Sequence, residues 1–333
     1  MSSPLESNRA AASFDDRLRR TGQRLDGLEQ PRGAFLLGKV RRHIEWARTE
    51  GIAKLIEEDD LDPRARVRKA VARRRWRRSH PNAGRHTRPV FVVGLQRSGT
   101  NMVTRGFDEA PEFEVINENN RRAFSRYRLR DEDVAKVVRR SRHAYVLFKP
   151  LCDSHRIVGL LDKHSTELAP AIALWVFRDP RGRARSAVAK FGDNDKTVLE
   201  AINAGLGHDL WQIQELSADV LATLASFDVS RLSESSASAL FWWARNSLYF
   251  DLGFPDREDV LLVHYNDFVA DPRPVMTHIC SRLGLDPREQ LYAHADSRAL
   301  GAASGFEIDP RVGELCDALY TRLIEQSRSS RPA

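Results

Sequence analysis

The chain has 333 residues, of which 41% are hydrophobic and 30% are charged, and its formal net charge is +7. The apolar fraction is enough for a buried core, and the length favours one large α/β domain with an appendage. The positive charge favours anionic partners, namely nucleotides, sulfated or phosphorylated substrates, nucleic acid or an acidic membrane surface, and does not select among them.

The cysteines and the apolar segments indicate a cytoplasmic chain. Cys152, Cys280 and Cys316 are far apart and form no CxxC pair, which argues against a disulfide framework or a zinc site. The first twenty residues hold no apolar stretch of the kind found in secretory signals, and no uncharged apolar run is long enough to span a bilayer. We therefore expect a cytoplasmic protein, soluble or at most peripheral to a membrane.

Residues 1–88 predict a helical, basic N-terminal extension. Apolar residues recur at helical spacing in the stretches 36–47 and 52–56. Asp62 followed by Pro63 is typical of a helix start, and the helix that follows holds nine arginines and lysines within 64–78. A solvated helix or linker is one interpretation, and binding to an acidic membrane surface, an anionic glycan or a lipid is another. No nucleic-acid-binding motif accompanies the helix, so nucleic acid is not the expected partner.

Residues 89–330 predict an α/β domain. Short apolar runs alternate with amphipathic stretches, the runs being PVFVVG, FEVIN, AYVLF, ALWVF and VLLVHY. Strands that alternate with helices imply right-handed crossovers and a central parallel sheet flanked by helices. The runs are continuously apolar, as burial on both faces of such a sheet requires.

The first strand leads into a turn suited to an anion. The strand ends at Gly94, and a helix is predicted to begin at about Gly99, so that free backbone amides meet the strand end. Thr100 and Asn101 add short hydrogen-bond donors, and Arg97 adds a permanent charge in a planar fork that suits phosphate or sulfate oxygens. An ordinary glycine-containing turn is the alternative interpretation.

The spacing of this turn invites comparison with the Walker A loop, GxxxxGK[ST]. Gly94 and Gly99 fit that pattern, but Thr100 stands in the place of its lysine and Asn101 in the place of its magnesium-binding hydroxyl. A P-loop kinase or NTPase is therefore the weaker alternative. A non-catalytic protein that binds anions through the basic N-terminal helix is a further one.

GLQRSGTN resembles the 5′-phosphosulfate loop of sulfotransferases that use 3′-phosphoadenosine 5′-phosphosulfate (PAPS), whose typical forms are KSGTT and RSGTT. The resemblance implies a P-loop NTPase-like sulfotransferase fold of the bacterial or glycan-acting branch, with PAPS as donor and 3′-phosphoadenosine 5′-phosphate (PAP) as product. Arg97 corresponds to the family's essential basic residue. The 5′-phosphosulfate cradle corresponds to the run Arg97, Ser98, Gly99, Thr100 and Asn101, where the family more often has threonine or serine at the last position.

A second strand-to-helix turn lies in ALWVFRDPRGRARSAVAKF. Its strand ends at Phe177, an Asp-Pro turn follows, and a helix is predicted from about Gly182. The segment resembles the family's 3′-phosphate motif, R-[DN]-P-x-x-x-x-x-S, which implies that Arg178 and Ser186 bind the 3′-phosphate. A helix capped by Asp179 is the alternative. Three further arginines are expected on a solvated helix face: Arg181, Arg183 and Arg185.

The last part of the resemblance is the segment 238–285, which is similar to the family's late block of a tryptophan-containing helix, a strand, a short turn and a closing helix. The turn is expected to cap and pack, and it holds Tyr265, Asn266, Asp267 and Phe268. The resemblance spans roughly 89–325. The loops 191–197 and 296–306 are expected to shape the pocket of the acceptor.

Sulfuryl transfer requires positive charge at the leaving oxygen and a base for the acceptor hydroxyl. Arg97 and Lys149 are the candidates for the charge, since Lys149 precedes a proline much as in several sulfotransferase branches. Glu118, after the strand FEVIN, is the preferred base by the same resemblance. His155 is the second candidate, although the family's Lys-x-His arrangement is absent.

The cofactor and partner predictions follow from the resemblance. PAPS serves as the sulfuryl donor, and no metal is required, because a sulfuryl group carries less charge than a phosphoryl group. The acceptor is expected to be a hydroxyl of a carbohydrate, a glycolipid or a small metabolite. The sequence does not indicate an oligomeric state.

Overall fold

The computed structural model describes residues 13–18, 63–295 and 306–330. The chain forms two compact units. The sheet unit comprises 63–182, 252–302 and 319–333, and the helical unit comprises 1–62, 183–251 and 303–318. The division at residue 88, which the sequence predicts between an N-terminal extension and an α/β domain, does not correspond to these two units and stays a prediction. The apolar stretches 36–47 and 52–56 lie outside the described residues.

The sheet unit contains five parallel strands in the order β2-β5-β1-β6-β7. Their bounds are β1 Arg88–Gly94, β2 Phe113–Ile116, β5 Tyr145–Phe148, β6 Ile172–Phe177 and β7 Val260–His264. All five coincide with the apolar runs of the sequence, so the predicted central parallel sheet is confirmed. A separate two-stranded antiparallel hairpin, which the sequence did not predict, consists of β3 Phe124–Ser125 and β4 Arg128–Leu129.

Residues 13–18 are helical, and in the described ranges after residue 62 the helices follow the predicted alternation. In chain order they are α1 Pro63–Ser79, α2 Thr100–Glu109, α3 Asp131–Arg140, α4 Ile157–Glu167, α5 Pro180–Phe191, α6 Asn194–Asn203, α7 Ala218–Ala225, α8 Glu234–Asp251, α9 Tyr265–Ala270, α10 Pro272–Leu283 and α11 Pro310–Ser329. The start of α1 at its proline is as predicted. Helix α5 begins two residues earlier than expected, and α9 occupies the segment that was expected to be a turn. No described helix combines the length and the apolar character needed to cross a bilayer.

Burial of the strands explains why these runs form the sheet. Every residue of β6 and β7 is buried, as is all of β1 after its first residue. Helices α2 and α10 pack on one face of the sheet, where Phe107 and Met276 join Val90, Val92 and Leu174 in one apolar cluster. Each such side chain contributes about 1.5–3 kcal/mol when it leaves water. Helix α4 lies on the side of Phe91, whose ring stacks on His164.

The helical unit has a core of its own that includes a buried charge. Arg183 is 1% exposed, and its guanidinium donates to Asp195 Oδ2 at 2.6 Å and to Ser238 Oγ at 3.0 Å. The prediction that Arg183 lies on a solvated face of α5 is therefore wrong. The physical reason is that α6 supplies a carboxylate partner, and a buried guanidinium is tolerated when it is paired and hydrogen-bonded.

Parallel strand order fixes where the candidate residues lie. All five strands end at the same edge of the sheet, and neighbouring strands lie about 4.8 Å apart. Five of the residues that the sequence singled out follow the ends of these strands along this edge. In strand order they are Glu118, Lys149, Arg97, Arg178 and Tyr265. The fold thus brings side chains that are up to 168 positions apart in the sequence to one edge of the sheet.

Candidate active site

The turn after β1 is shaped by left-handed backbone. Gly94, Arg97 and Gly99 have φ angles of 121°, 70° and 92°. A Cβ atom at Gly94 would lie 2.2 Å from the Val176 carbonyl oxygen of the neighbouring strand, so only glycine fits there. Helix α2 begins at Thr100, directly after this turn, and its first amides have no acceptor within the helix. The predicted turn between a strand end and a helix start is therefore present.

The Ser98 hydroxyl is a buried hydrogen-bond donor in this turn. Ser98 is fully buried, and within the described part of the chain its Oγ atom has no hydrogen-bond partner. A buried hydroxyl without a partner costs about 1–3 kcal/mol. A phosphate or sulfate oxygen at the turn would accept this hydrogen bond together with those of the helix amides, so the residues present fit the group that the sequence implies.

Tyr265 connects the two predicted anion turns. A Cβ atom at Gly99 would lie 1.9 Å from Tyr265 Cδ2, so the ring packs directly against the first turn. The Arg178 guanidinium lies over the same ring, 4.7 Å from its centroid. Burial raises the pKa of the Tyr265 hydroxyl, while the charges of Arg178 and Arg97 oppose that rise. Sequence reasoning assigned Tyr265 only capping and packing, and the packing proves to join both turns.

The second turn has the helix cap that the sequence offered as the alternative interpretation. Asp179 Oδ1 accepts a hydrogen bond of 2.5 Å from the Gly182 amide, so this residue does cap α5. Asn266 Nδ2 donates to Asp179 Oδ2 at 3.2 Å, which ties the turn to α9. Arg178 Nε lies 3.6 Å from Asp179 Oδ2, a loose ion pair. The cap therefore occupies the helix start, and the charge of Arg178 is only weakly engaged by its neighbour.

Ser186 lies in the second turn of α5, within the helical unit, and is half-buried. Arg178 belongs to the sheet unit. The shared binding of one phosphate by these two residues therefore stays a prediction.

Lys149, Asn101 and Glu118 form a cluster beside the first turn. Lys149 Nζ donates to Asn101 Oδ1 at 2.5 Å and lies 3.5 Å from Glu118 Oε1. The side chains of Lys149 and Glu118 are only 11% and 17% exposed. Burial raises the pKa of the Glu118 carboxyl, and Lys149 partly opposes this rise. Asn101, the one departure from the family's usual loop, thus holds the lysine through its side-chain carbonyl.

His155 lies in the 3-10 segment Leu151–Arg156, which follows Lys149, and it is buried. The same segment supports the first turn: Ser154 Oγ donates to the Gly94 carbonyl oxygen and accepts from the Gly94 amide, both at 3.1 Å. Asp153 is fully buried and accepts from the Leu129 amide at 2.7 Å, which fixes the β3–β4 hairpin. Sequence reasoning missed Ser154 and Asp153, because a serine and an aspartate in a short helical turn carry no distinctive pattern.

Among the solved structures to which this chain is similar, two sulfotransferases show low similarity. A sulfotransferase from Alicyclobacillus acidocaldarius aligns over 73% of this chain and 96% of its own, with 17% identity and a TM-score of 0.38. The mouse sulfotransferase SULT7A1, solved in complex with PAP, aligns over 75% of this chain and 91% of its own, with 12% identity and a TM-score of 0.40. No family model and no curated protein matches the sequence. At this level of similarity the two structures establish neither an activity nor a ligand for this chain.

Proposed function

We propose that the chain is a sulfotransferase that moves a sulfuryl group from PAPS to a hydroxyl of a carbohydrate, a glycolipid or a small metabolite. The observation that carries the proposal is the contact of both predicted anion turns with one tyrosine. Gly99 packs on Tyr265, and Arg178 lies 4.7 Å from the centroid of the same ring. Two cationic turns so close together suit a nucleotide with phosphates at both ends of its ribose.

The binding residues have distinct roles in this proposal. The amides at the start of α2, the buried Ser98 hydroxyl and the guanidinium of Arg97 would hold the 5′-phosphosulfate. Arg178 would hold the 3′-phosphate, with Ser186 as its predicted partner. Charge-assisted hydrogen bonds of this kind are roughly twice as strong as neutral ones. PAPS would supply an activated sulfuryl group and leave as PAP.

The cluster of Lys149, Asn101 and Glu118 would perform the chemistry. Lys149 is held by Asn101 beside the first turn, where its ammonium, together with Arg97, would neutralise charge that develops on the leaving oxygen. Glu118 would take the proton of the acceptor hydroxyl. Its raised pKa makes it a stronger base than an exposed glutamate and so suits it to that task. His155, buried in the neighbouring 3-10 segment, is the second candidate for the base.

The proposal is tested by incubating the purified chain with 35S-labelled PAPS and a cell extract, followed by mass spectrometry of labelled products. We expect a sulfated product that forms with wild type and not with Arg97→Ala. Transfer of label from γ-labelled ATP with magnesium, and none from PAPS, would instead indicate a kinase. Binding of PAP without any transfer would indicate a non-catalytic anion-binding protein.

A further inference from the structure

Helix α1 is attached to the sheet unit by one face. Lys69 Nζ lies 3.3 Å from Glu109 Oε1 and also donates to Asp108. Arg73 Nη2 donates to Asp108 Oδ1 at 2.9 Å. Near the end of the helix, the Trp76 ring stacks on His143 with 6.0 Å between centroids. These contacts fix which side of α1 faces the protein and which faces solvent.

The opposite face of α1 combines apolar and basic side chains. Helical spacing of 3.6 residues places Val67, Val71, Arg74 and Arg78 in one row, away from the attached face. Val67 is 64% exposed and Val71 is 46% exposed, and in the described ranges they are the exposed large hydrophobic residues. The row is flanked by two further exposed basic residues: Arg68 and Arg75.

The charge of this face is not neutralised. Helix α1 contains no acidic residue. Within the described ranges, no carboxylate pairs with Arg74, Arg75 or Arg78, whereas Arg68 has a loose ion pair of 3.8 Å with Glu109. Arginines alone would suit any polyanion. Two valines directed into water between them suit a partner that offers both negative charge and an apolar interior.

We propose that this face of α1 binds the surface of a bilayer that contains anionic phospholipid. Val67 and Val71 would enter the boundary between headgroups and acyl chains, as the apolar side of an interfacial helix does. Arg74 and Arg78 would contact lipid phosphates, to which guanidinium forks are suited. The inference goes beyond the proposed catalytic function, since no residue of the face belongs to the candidate active site.

The test is co-sedimentation of the full chain with vesicles of phosphatidylcholine, with and without phosphatidylglycerol. Wild type is expected to bind only the vesicles with phosphatidylglycerol. The double variant Arg74→Ala/Arg78→Ala should bind them about 30-fold more weakly, from roughly 1 kcal/mol for each basic residue near a charged membrane. Val67→Gln/Val71→Gln should lose roughly tenfold through lost apolar burial. The charge-matched control Arg139→Ala/Arg140→Ala, at the end of α3, should lose no more than about twofold.

Two results would overturn the proposal. One is wild type that binds vesicles equally with and without phosphatidylglycerol. The other is that Val67→Gln/Val71→Gln binds the phosphatidylglycerol vesicles as well as wild type does, and that soluble heparin displaces wild type from them. This result would assign the face to a polyanion such as a glycan or a nucleic acid. Each variant should keep the PAP affinity and the thermal midpoint of wild type, so a failed fold is recognised separately.

Discussion

The two predicted anion turns share one design but offer an anion different groups. After β1, left-handed backbone at Gly99 leaves the start of α2 open, and the Ser98 hydroxyl is buried beside it. After β6, the Asp179 carboxylate already binds the Gly182 amide at the start of α5. The first turn therefore offers backbone amides at a helix start, whereas at the second turn the Gly182 amide is already engaged and Arg178 is the predicted binding group.

A strand-to-helix turn is therefore not by itself an anion site. What matters is whether the chain's own residues already occupy the helix start. In the proposed function, the Lys149–Asn101–Glu118 cluster beside the open turn performs the chemistry, and the capped turn has a binding role. Substitutions at each turn should therefore have different effects on binding and on turnover.

Glu118→Gln should reduce turnover more than any other substitution considered. Loss of a general base costs about 10²- to 10⁴-fold in rate, and the amide keeps the shape of the side chain. PAP affinity, measured by calorimetry, should remain within about threefold of wild type, because neither turn is altered. A fully active Glu118→Gln variant would transfer the role of base to His155, whose replacement by asparagine should then abolish turnover.

Gly99→Ala should have the next largest effect, on stability and on PAP binding, because it changes the backbone of the open turn. The new methyl group would overlap the Tyr265 ring, and a φ of 92° disfavours any side chain. We expect a loss of about 2–4 kcal/mol in the free energy of unfolding, and PAP binding weakened by about 100-fold.

Gly192→Ala is the matched control for this prediction. Gly192 also has a positive φ, of 59°, but a Cβ atom there meets nothing within 4 Å. Its cost should be only about 1 kcal/mol, without an effect on PAP binding. Equal effects of the two substitutions, measured by denaturant titration and calorimetry, would argue against the packing of Tyr265 on the first turn.

Arg178→Ala tests the capped turn. The lost charge-assisted hydrogen bonds should weaken PAP binding by about 10- to 100-fold. The affinity for AMP, which lacks the 3′-phosphate, should hardly change. Arg97→Ala should weaken both ligands alike, and Arg181→Ala, three residues beyond Arg178, serves as the charge control. If Arg178→Ala weakens AMP as much as PAP, the assignment of separate phosphates to the two turns is wrong.

The smallest effect concerns pH. A base must be deprotonated, so activity should fall as the pH drops through the Glu118 pKa, and burial places this acid limb above the usual value of about 4.3. The folded chain holds this proton more tightly than the unfolded chain. Glu118 therefore adds to the free energy of unfolding when the pH is below its pKa in the unfolded chain. This contribution is lost as the pH rises through its pKa in the folded chain.

Thermal denaturation of wild type and Glu118→Gln across this pH range checks the sign. Wild type should lose stability relative to the glutamine variant as the pH rises. Two results together would contradict the burial of a functional carboxyl. One is that the stabilities of wild type and Glu118→Gln change in parallel with pH, and the other is that activity falls at the pKa of an exposed glutamate.

The sequence predicted the sheet well, because five continuously apolar runs and their separation by helices carry the information. It could not predict that Tyr265 lies on Gly99, since this contact depends on the order of β1, β6 and β7. The β3–β4 hairpin was also missed. Its turn residues Arg126 and Tyr127 have φ angles of 47° and 70°, where hairpins usually show asparagine and glycine.

Burial of charge was equally hidden in the sequence. Arg183 belongs to a run of arginines that alternate along α5, a pattern typical of a solvated face, and its partner Asp195 lies on the next helix. Conversely, Glu118 and Lys149 were chosen because their segments resemble those of sulfotransferases, and in the structure each follows a strand of the sheet. Parallel strands end at one edge, so residues after them meet.

The most direct measurement is the affinity of wild type for PAP and for AMP by isothermal titration calorimetry, under identical salt. Two separate oxyanion contacts predict that PAP binds about 10- to 100-fold more tightly than AMP, since only PAP engages the Arg178 turn. Equal affinities for the two nucleotides would show that the Arg178 turn binds no phosphate. The proposal of PAPS as the donor would then lose its structural support.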